Sequence, residues 1–251
     1  MSEYIALGFI GLIVALLSSY LGFGGGTVVV PLLPFLTGLD IKSTLATSLA
    51  VVALNAANNT YHFNQKKLIR WSLALTISCS SVLLAVFSSY YSHHISEGIV
   101  RWLVISVFIF VAVLAAMGPR VLPTALLAPK TFNYLLIGAL AGLVAGFGGL
   151  GGATILVPIF LVGRWTLNEE VAPTGNAINM LTATAVSVET LLTSAHLIRW
   201  PAVGVILGTS MLVSHFARQK QSRLTETQRR SWMVLFLLLV IIIQVQRAVR
   251  A

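Results

Sequence analysis

Charged residues are scarce in this chain of 251 residues. Only 9% of the residues are charged, whereas 57% are hydrophobic and the mean hydropathy is +0.91. A soluble globular protein carries about a quarter charged residues, so the composition excludes a soluble enzyme and a disordered chain. It indicates an integral membrane protein with many spanning segments.

Acidic residues and cysteine are rarer still. Seven Asp and Glu stand against sixteen Lys and Arg, a net charge of +9, which in a soluble domain would suggest nucleic acid. Here most basic residues lie in short loops between apolar runs, so we interpret them as charge that orients the protein in a bilayer and expect no nucleic-acid partner. The single cysteine, Cys79, excludes an intramolecular disulfide. Because it lies in an apolar run, we expect a packed thiol.

Long apolar runs predict an all-α polytopic membrane protein, and residues 4–22 are interpreted as a retained first helix rather than a signal peptide. Two runs reach only half to two thirds of the roughly 20 residues that a spanning helix needs. Each of these short runs follows a glycine-rich break, at residues 22–26 and 146–152. The runs are 4–21, 27–37, 43–63, 69–91, 99–118, 132–147, 153–163, 171–196, 200–217 and 231–246.

The chain repeats itself, which predicts one transmembrane domain over residues 1–251. A shift of 127 residues places Gly11, Gly22, Thr27, Pro31 and Thr47 on Gly138, Gly149, Thr154, Pro158 and Thr174, and Leu-Ile-Arg-Trp occurs at both 68–71 and 197–200. Repeat one covers about 4–118 and repeat two about 131–250, with five helical elements each. Five is odd, so the two repeats are expected to have inverted topology.

The distribution of basic residues supports that topology. If each glycine break is the tip of a turn, eleven of the sixteen Lys and Arg residues collect on one side of the membrane. If the two helical segments that flank each glycine break instead crossed the membrane once together, the Lys and Arg residues would divide equally between the two sides. The positive-inside rule favours the first arrangement, which puts both termini outside the cytoplasm.

The glycine breaks predict a binding site for an anion. A helix that begins inside the membrane presents free N–H groups and the positive end of its dipole, and glycine lets a ligand approach the backbone closely. The alternative is that these glycines, and the hydroxyls near them, serve helix packing, capping or interhelical hydrogen bonds. Asparagines mark one face of the next helix in each half, at 55, 58 and 59 and at 176 and 179. The candidate ligands are Gly24, Gly25, Gly26, Thr27, Thr47, Ser48, Gly151, Gly152, Thr154, Thr174 and Asn176.

Two titratable residues are candidates for proton coupling. His62 and Glu189 are matched by the shift of 127, and Glu189 is the only acidic residue well inside an apolar run. A carboxyl at membrane depth can carry a proton, and imidazole titrates close to neutral pH. The alternative is an interfacial position with a partner such as Arg70 or Arg199. No spacing of residues resembles a metal site or a catalytic triad, so we expect no metal, no cofactor and no catalytic residue.

The same residues resemble the sulfite exporter TauE/SafE family of membrane permeases, over nearly the whole chain. The resemblance is carried by Gly22-Phe-Gly-Gly-Gly-Thr-Val-Val-Val-Pro31, Ala46-Thr-Ser-Leu49, and the second copies Gly149-Leu-Gly-Gly-Ala-Thr-Ile-Leu-Val-Pro158 and Pro173-Thr-Gly175. It implies a carrier of small sulfur-containing or organic anions in the inner or plasma membrane. The second copy has Gly175 where the first has Ser48, so the two halves would not contribute equivalent hydroxyls.

We therefore expect a secondary transporter of a small anion that works by alternating access, with the anion and the lipid bilayer as partners and a homo-oligomer left open. No ATP-binding P-loop is present, so the energy must come from an ion gradient or the membrane potential. Two other classes remain, a membrane-embedded enzyme using Ser48, His62 or Glu189 and a non-transporting assembly factor. Ser48 and His62 are about 21 Å apart along one helix, which counts against the enzyme.

Overall fold

A computed structural model describes residues 2–22, 24–92, 94–117, 128, 130–163, 165–220 and 225–250. Phe23 of the first glycine break and most of the connection between the halves lie outside these residues. The described residues form ten α-helices, one short 3-10 helix (Ala195–Leu197) and no strand, which confirms the all-α prediction. The α-helices are α1 (Ser2–Tyr20), α2 (Gly26–Thr37), α3 (Ile41–Gln65), α4 (Trp71–Ser92), α5 (Glu97–Met117), α6 (Thr131–Gly148), α7 (Ala153–Gly163), α8 (Asn168–Ser194), α9 (Trp200–Lys220) and α10 (Glu226–Arg250).

Each predicted apolar run becomes a helix, and local chemistry sets the boundaries. The Asp40 side chain accepts a hydrogen bond from the Ser43 N–H at 2.8 Å and caps α3. Gly38 and Gly149 end α2 and α6 in the left-handed conformation, with φ of +68° and +63°. Such angles favour glycine, so the breaks that looked unusual in the sequence are in part helix stops.

Among the residues that the structure describes, four helices are long and apolar enough to cross a membrane: α1, α4, α5 and α6. Helices α2 and α7 have only 12 and 11 residues. Helices α3 and α8 have 25 and 27 residues, but they carry many buried polar side chains, which lower their hydropathy. Polar groups in such helices usually face protein or a water-filled cavity.

The opening helix of each half packs against the other half. Helix α1 contacts α9, and α6 contacts α4. Gly11 of α1 lies against the backbone of Ile206 in α9, and its repeat counterpart, Gly138 of α6, lies against the backbone of Ile77 in α4. A glycine at such a crossing lets the two backbones approach closely. Neither half is therefore a separate folding unit.

Helices α3 and α8 pack together at the centre and run antiparallel. The residues that follow α3 contact the first part of α8, where the Arg70 N–H donates to Thr174. The residues that follow α8 contact the first part of α3, where the Arg199 N–H donates to Thr47. These two helices carry most of the polar residues discussed below.

Cys79 lies on an outer face of α4 and is exposed. The expectation of a packed thiol was wrong. An apolar run on a membrane helix includes the residues that face outwards, and the run alone does not separate them from the packed ones.

Candidate functional site

The two glycine breaks meet in the middle of the protein. A Cβ added to Gly24 would lie 2.6 Å from the Leu150 carbonyl oxygen, and one added to Gly26 would lie 2.7 Å from the Leu150 Cα. No side chain larger than hydrogen fits at these two positions without movement. The two breaks touch, so an anion between them requires them to move apart.

The starts of α2 and α7 present free backbone donors. The first bonds of α2 run from Thr27 N–H to the Gly24 carbonyl and from Val28 N–H to the Gly25 carbonyl. Within the described part of the chain, no acceptor is found for the N–H groups of Gly24, Gly25, Gly26, Gly151 and Gly152. These N–H groups are the ones that the sequence predicted as anion donors, and a helix N-terminus adds positive potential to them.

Three of the predicted hydroxyl ligands donate their hydrogen to carbonyls of the breaks. Thr27 Oγ1 donates to the Gly24 carbonyl at 2.9 Å, and Thr154 Oγ1 donates to the Leu150 carbonyl at 3.2 Å. Ser48 Oγ donates to the Gly149 carbonyl of the other half at 2.7 Å. All three residues are completely buried. In this conformation they hold the breaks in shape, and they can bind an anion only after giving up those bonds.

The other two predicted hydroxyls form a reciprocal pair of bonds between the halves. The Arg70 backbone N–H donates to Thr174 Oγ1 at 3.2 Å, and the Arg199 backbone N–H donates to Thr47 Oγ1 at 3.0 Å. We call these two bonds the Arg–Thr latches. They correspond to each other under the sequence repeat, and the repeated Leu-Ile-Arg-Trp segments were the signal that could have revealed them. Each threonine only accepts here, so its own O–H remains to be donated.

Each latch has a second anchor through the arginine side chain. The Arg70 guanidinium donates to the Trp165 carbonyl at 2.7 Å. The Arg199 guanidinium forms a salt bridge of 2.6 Å with Glu3, in which both side chains are more than a third exposed. Exposed ion pairs contribute little stability, so the Arg199 anchor is the weaker of the two. Neither arginine pairs with Glu189, which the sequence left open as an interfacial alternative.

Asn176 belongs to a buried amide network between α1, α3 and α8. Its Nδ2 donates to the Ser18 and Ala172 carbonyls, at 3.2 and 2.8 Å, and its Oδ1 accepts from Asn59 at 3.1 Å. Asn55 extends the network through Ser18 and accepts a hydrogen bond from Ser210 of α9 at 2.7 Å. The sequence marked these asparagines as one face of each helix but did not identify Ser18 or Ser210. The amide of Asn176 is fully used by protein partners.

The repeat relates part of this network to a second contact. Ser81 of α4 bonds to Thr182 of α8 at 3.1 Å, and these two positions correspond to Ser210 and Asn55. Ser81 of the first half therefore bonds to α8 of the second half, and Ser210 of the second half bonds to α3 of the first half.

Asn179 lies between the two breaks. Its Oδ1 accepts from the Ala153 N–H at 2.8 Å and so caps the start of α7. A Cβ built on Gly24 would lie 2.8 Å from its Nδ2. That Nδ2 has no hydrogen-bond partner among the described residues, and the side chain is completely buried. The sequence analysis noted Asn179 on a helix face but did not include it among the ligands.

His62 and Glu189 are not brought together, because they lie towards the ends of two antiparallel helices. The Glu189 carboxylate is half-buried and accepts from the hydroxyls of Ser89, Thr190 and Thr193, at 3.0, 3.4 and 3.0 Å. The ring of His62 packs edge-on against Tyr61. Three hydroxyls therefore converge on the Glu189 carboxyl group.

Three pockets beside the described residues have no residue of the glycine breaks in their lining, and one of them, of about 510 Å³, is lined by residues of α5 and α10. One of about 350 Å³ opens beside the Arg199 latch and is lined by Leu39, Ser43 and residues 196–201. Another, of about 330 Å³, is apolar and lies between Tyr20 and Trp232. No cluster of three metal-ligating side chains occurs in the described ranges.

Comparisons with known proteins identify the family of the chain. Residues 7–245 match the family described as sulfite exporter TauE/SafE. A protein named as a probable membrane transporter, from Methanocaldococcus jannaschii, is 25% identical over 169 residues, which is 65% of this chain and 63% of that relative. The matched part thus spans less than two thirds of the relative's length. No solved structure matches the chain.

Proposed function

The chain belongs to the sulfite exporter TauE/SafE family, and from that membership we propose that it is a secondary transporter of a small anion. The substrate classes we propose are sulfite, a sulfonate, another sulfur oxyanion or an organic acid. The family and the apolar helices make the protein a multi-pass membrane protein. We place it in the inner or plasma membrane with both termini outside the cytoplasm, as the distribution of basic residues favours.

The observation that carries the proposal is the meeting of two helix starts from different halves. Each start has the positive end of a helix dipole, equivalent to roughly half an elementary charge. Five glycine N–H groups at this point have no acceptor among the described residues. Burying a donor without a partner is unfavourable by about 1 to 3 kcal/mol, and an anion would satisfy several of these donors at once.

Thr47 and Thr174 are the hydroxyls that we retain as ligands, each for the anion as it passes that end of the α3–α8 pair. They accept from the arginine N–H groups, so each keeps an O–H to donate to an anion. Thr27, Ser48 and Thr154 would join only when the breaks separate, because their hydrogens are already donated.

Alternating access is supported by the packing of the two halves. Equivalent helices α3 and α8 run antiparallel, as expected for two halves that enter the membrane in opposite orientations. The two Arg–Thr latches therefore lie at opposite ends of this helix pair. We propose that they are the gates, and that opening towards one side of the membrane breaks one latch while the other stays closed.

The pocket beside Arg199 fits this scheme as an entrance. It is open to the outside, and both Arg199 and His196 line it. The Arg199 charge is compensated by Glu3 in this conformation, so it would raise the local concentration of an anion only when that ion pair opens.

Flux measurements in proteoliposomes test the proposal. Vesicles containing the purified protein are loaded with radiolabelled sulfite, and its release is followed with proton, sodium and potential gradients applied in turn. We expect saturable release that unlabelled sulfite or a sulfonate inhibits and that protein-free vesicles lack. Release equal to that of protein-free vesicles, for sulfite, thiosulfate, sulfonates and carboxylates under every gradient, would show that the protein is not such a carrier.

A further inference from the structure

One buried side-chain donor near the glycine breaks has no partner among the described residues, whereas the neighbouring side chains of Ser48 and Asn176 are satisfied. Asn179 is completely buried, and its Nδ2 makes no hydrogen bond to any described residue. The amide orientation is fixed by the bond that Oδ1 accepts from the Ala153 N–H, so the N–H groups must point the other way. They point towards Gly24 in the break of the opposite half.

The position of Asn179 links both helix starts. Its oxygen caps α7, and its nitrogen lies beside the residues that lead into α2. A Cβ built on Gly151 would lie 2.7 Å from the same Asn179 oxygen. Asn179 is also close to the middle of α8, whose bounds are Asn168–Ser194. The Asn179 amide therefore lies against both breaks, whose glycine N–H groups also lack acceptors among the described residues.

The other buried asparagines next to the breaks do not share this property. Asn176 uses both its amide nitrogen and its oxygen on protein partners. Asn55 donates to Ser18 and accepts from Ser210. The amides of Asn55 and Asn176 are therefore satisfied by protein partners, whereas the amide of Asn179 is half used. The buried Nε2 of Gln244 on α10 also lacks a partner among the described residues, but Gln244 is not one of the residues that contact the breaks.

Asn179 has no equivalent in the first half. The repeat places it on Val52, and Val52 packs its methyl group against Gly151. The donor is therefore supplied by one half alone. A symmetric pair of breaks would hold an anion on the axis between them, whereas this amide draws it towards the first break.

We infer that the side-chain N–H of Asn179 is a ligand of the transported anion and fixes its position off the axis between the two halves. The inference rests on the anion-transport function proposed above and adds a residue to its site. The unpaired donor would gain a charged acceptor when the breaks part to admit the anion. Hydrogen bonds to charged groups are stronger than neutral ones, so this amide should contribute strongly to affinity.

Two substitutions remove the Asn179 donor in different ways. Asn179→Asp keeps an oxygen for the Ala153 N–H, removes both donors and adds a negative charge. Asn179→Val copies the residue of the first half and adds no charge, but it removes the cap oxygen as well. Asn64→Asp is the matched control, because the Asn64 oxygen also accepts one hydrogen bond, from the Trp71 indole, at an exposed position far from the breaks.

The measurement is equilibrium binding of radiolabelled sulfite to the purified full chain, with methanesulfonate as competitor. We expect both Asn179 variants to lose affinity by roughly ten- to a hundredfold, and Asn64→Asp to stay within about twofold of the unaltered protein. Wild-type affinity in Asn179→Val would overturn the inference even if Asn179→Asp fails to bind, because repulsion by the new charge would then be the whole effect.

A measurement on the unaltered protein guards against variants that fold poorly. With the asparagines labelled with ¹⁵N, sulfite should shift one pair of side-chain N–H resonances, and a titration that moves none of them would also overturn the inference. If the unaltered protein releases sulfite from vesicles while the Asn179 variants bind it normally, the role of Asn179 is wrong and the proposed function stands. If the unaltered protein neither binds nor carries any anion, both are wrong.

Discussion

Removing one Arg–Thr latch should shift the conformational equilibrium of the transporter towards the state that is open on the side of that latch. Thr174→Val removes the oxygen that accepts the Arg70 N–H at 3.2 Å, and Thr47→Val removes the oxygen that accepts the Arg199 N–H at 3.0 Å. Valine has nearly the shape of threonine but no hydroxyl, so each substitution deletes one latch without leaving a cavity.

The size of this shift follows from the hydrogen bond that is lost. A neutral hydrogen bond contributes about 0.5 to 1.5 kcal/mol net, and a buried donor left unpaired is unfavourable by about 1 to 3 kcal/mol. Both arginine N–H groups are only partly buried, so we expect about 1 to 2 kcal/mol per latch. That energy changes the ratio of the two open conformations by roughly 5- to 30-fold.

Cysteine accessibility measures that ratio. Ile69→Cys and Ile198→Cys place a thiol just before each latch arginine, in a Cys79→Ser background, and a membrane-impermeant maleimide reports their exposure in vesicles. Thr174→Val should speed labelling at position 69 and slow it at position 198, and Thr47→Val should do the reverse. Thr76→Val is the control, since the Thr76 hydroxyl bonds only to the Ser72 carbonyl of its own helix.

The double variant gives the sharper test. With both latches removed, each open conformation loses the same energy, so the ratio of labelling at the two thiols should return towards the wild-type value. The double variant should nevertheless carry less anion, because both hydroxyl donors are gone. If the two single variants speed labelling at the same end, or if their effects on the ratio do not cancel when combined, the latches are not opposing gates.

Three further outcomes are expected. Gly26→Ala should abolish flux, because its Cβ would collide with the Gly149 carbonyl of the other break. Gly204→Ala on α9 is the control: its Cβ meets nothing within 4 Å, so this variant should keep flux and have a higher melting temperature through better helix propensity. Equal flux through the two variants would contradict the close contact of the breaks. Glu189→Gln should make flux less dependent on pH if this carboxyl carries the coupled proton, and a pH profile identical to wild type would remove it from coupling. Methanesulfonate should compete with sulfite for binding at mildly alkaline pH, where sulfite carries no proton. Hydrogen phosphate should compete at least tenfold less well, because the carbonyls of residues 24, 25 and 149–152 already accept hydrogen bonds and leave its O–H group poorly satisfied. Equal competition would show that the site accepts a protonated anion.

The sequence predicted the helices well because composition and glycine placement act locally. The run at 132–147 became Thr131–Gly148, and the run at 153–163 became Ala153–Gly163. A glycine with positive φ ends a helix wherever the chain is placed. Such boundaries need no knowledge of the partner helix.

The site was harder to predict because its residues acquire their roles across the interface between the halves. Thr47 lies in a sequence motif, yet its partner, the N–H of Arg199, is a backbone group that no side-chain pattern marks. Asn179 was passed over for a different reason. Its repeat counterpart is Val52, which is not polar. A search for polar residues that match between the two halves therefore does not select Asn179. Which hydroxyls donate and which accept also depends on geometry that the sequence does not carry.

The packing of α1 on α9 has a consequence for how the protein is made. About 180 residues separate the end of α1 from the start of α9, and at 5 to 20 residues per second their synthesis takes roughly 10 to 40 s. During that time α1 must wait in the bilayer with its glycine face uncovered, while α6 can dock on α4 as soon as it emerges. Ribosome-bound intermediates that stop before α9 should therefore already hold the α6–α4 contact, whereas α1 has only its contacts to α2, α3 and α8. In these intermediates α1 is the helix whose packing face is most incompletely covered.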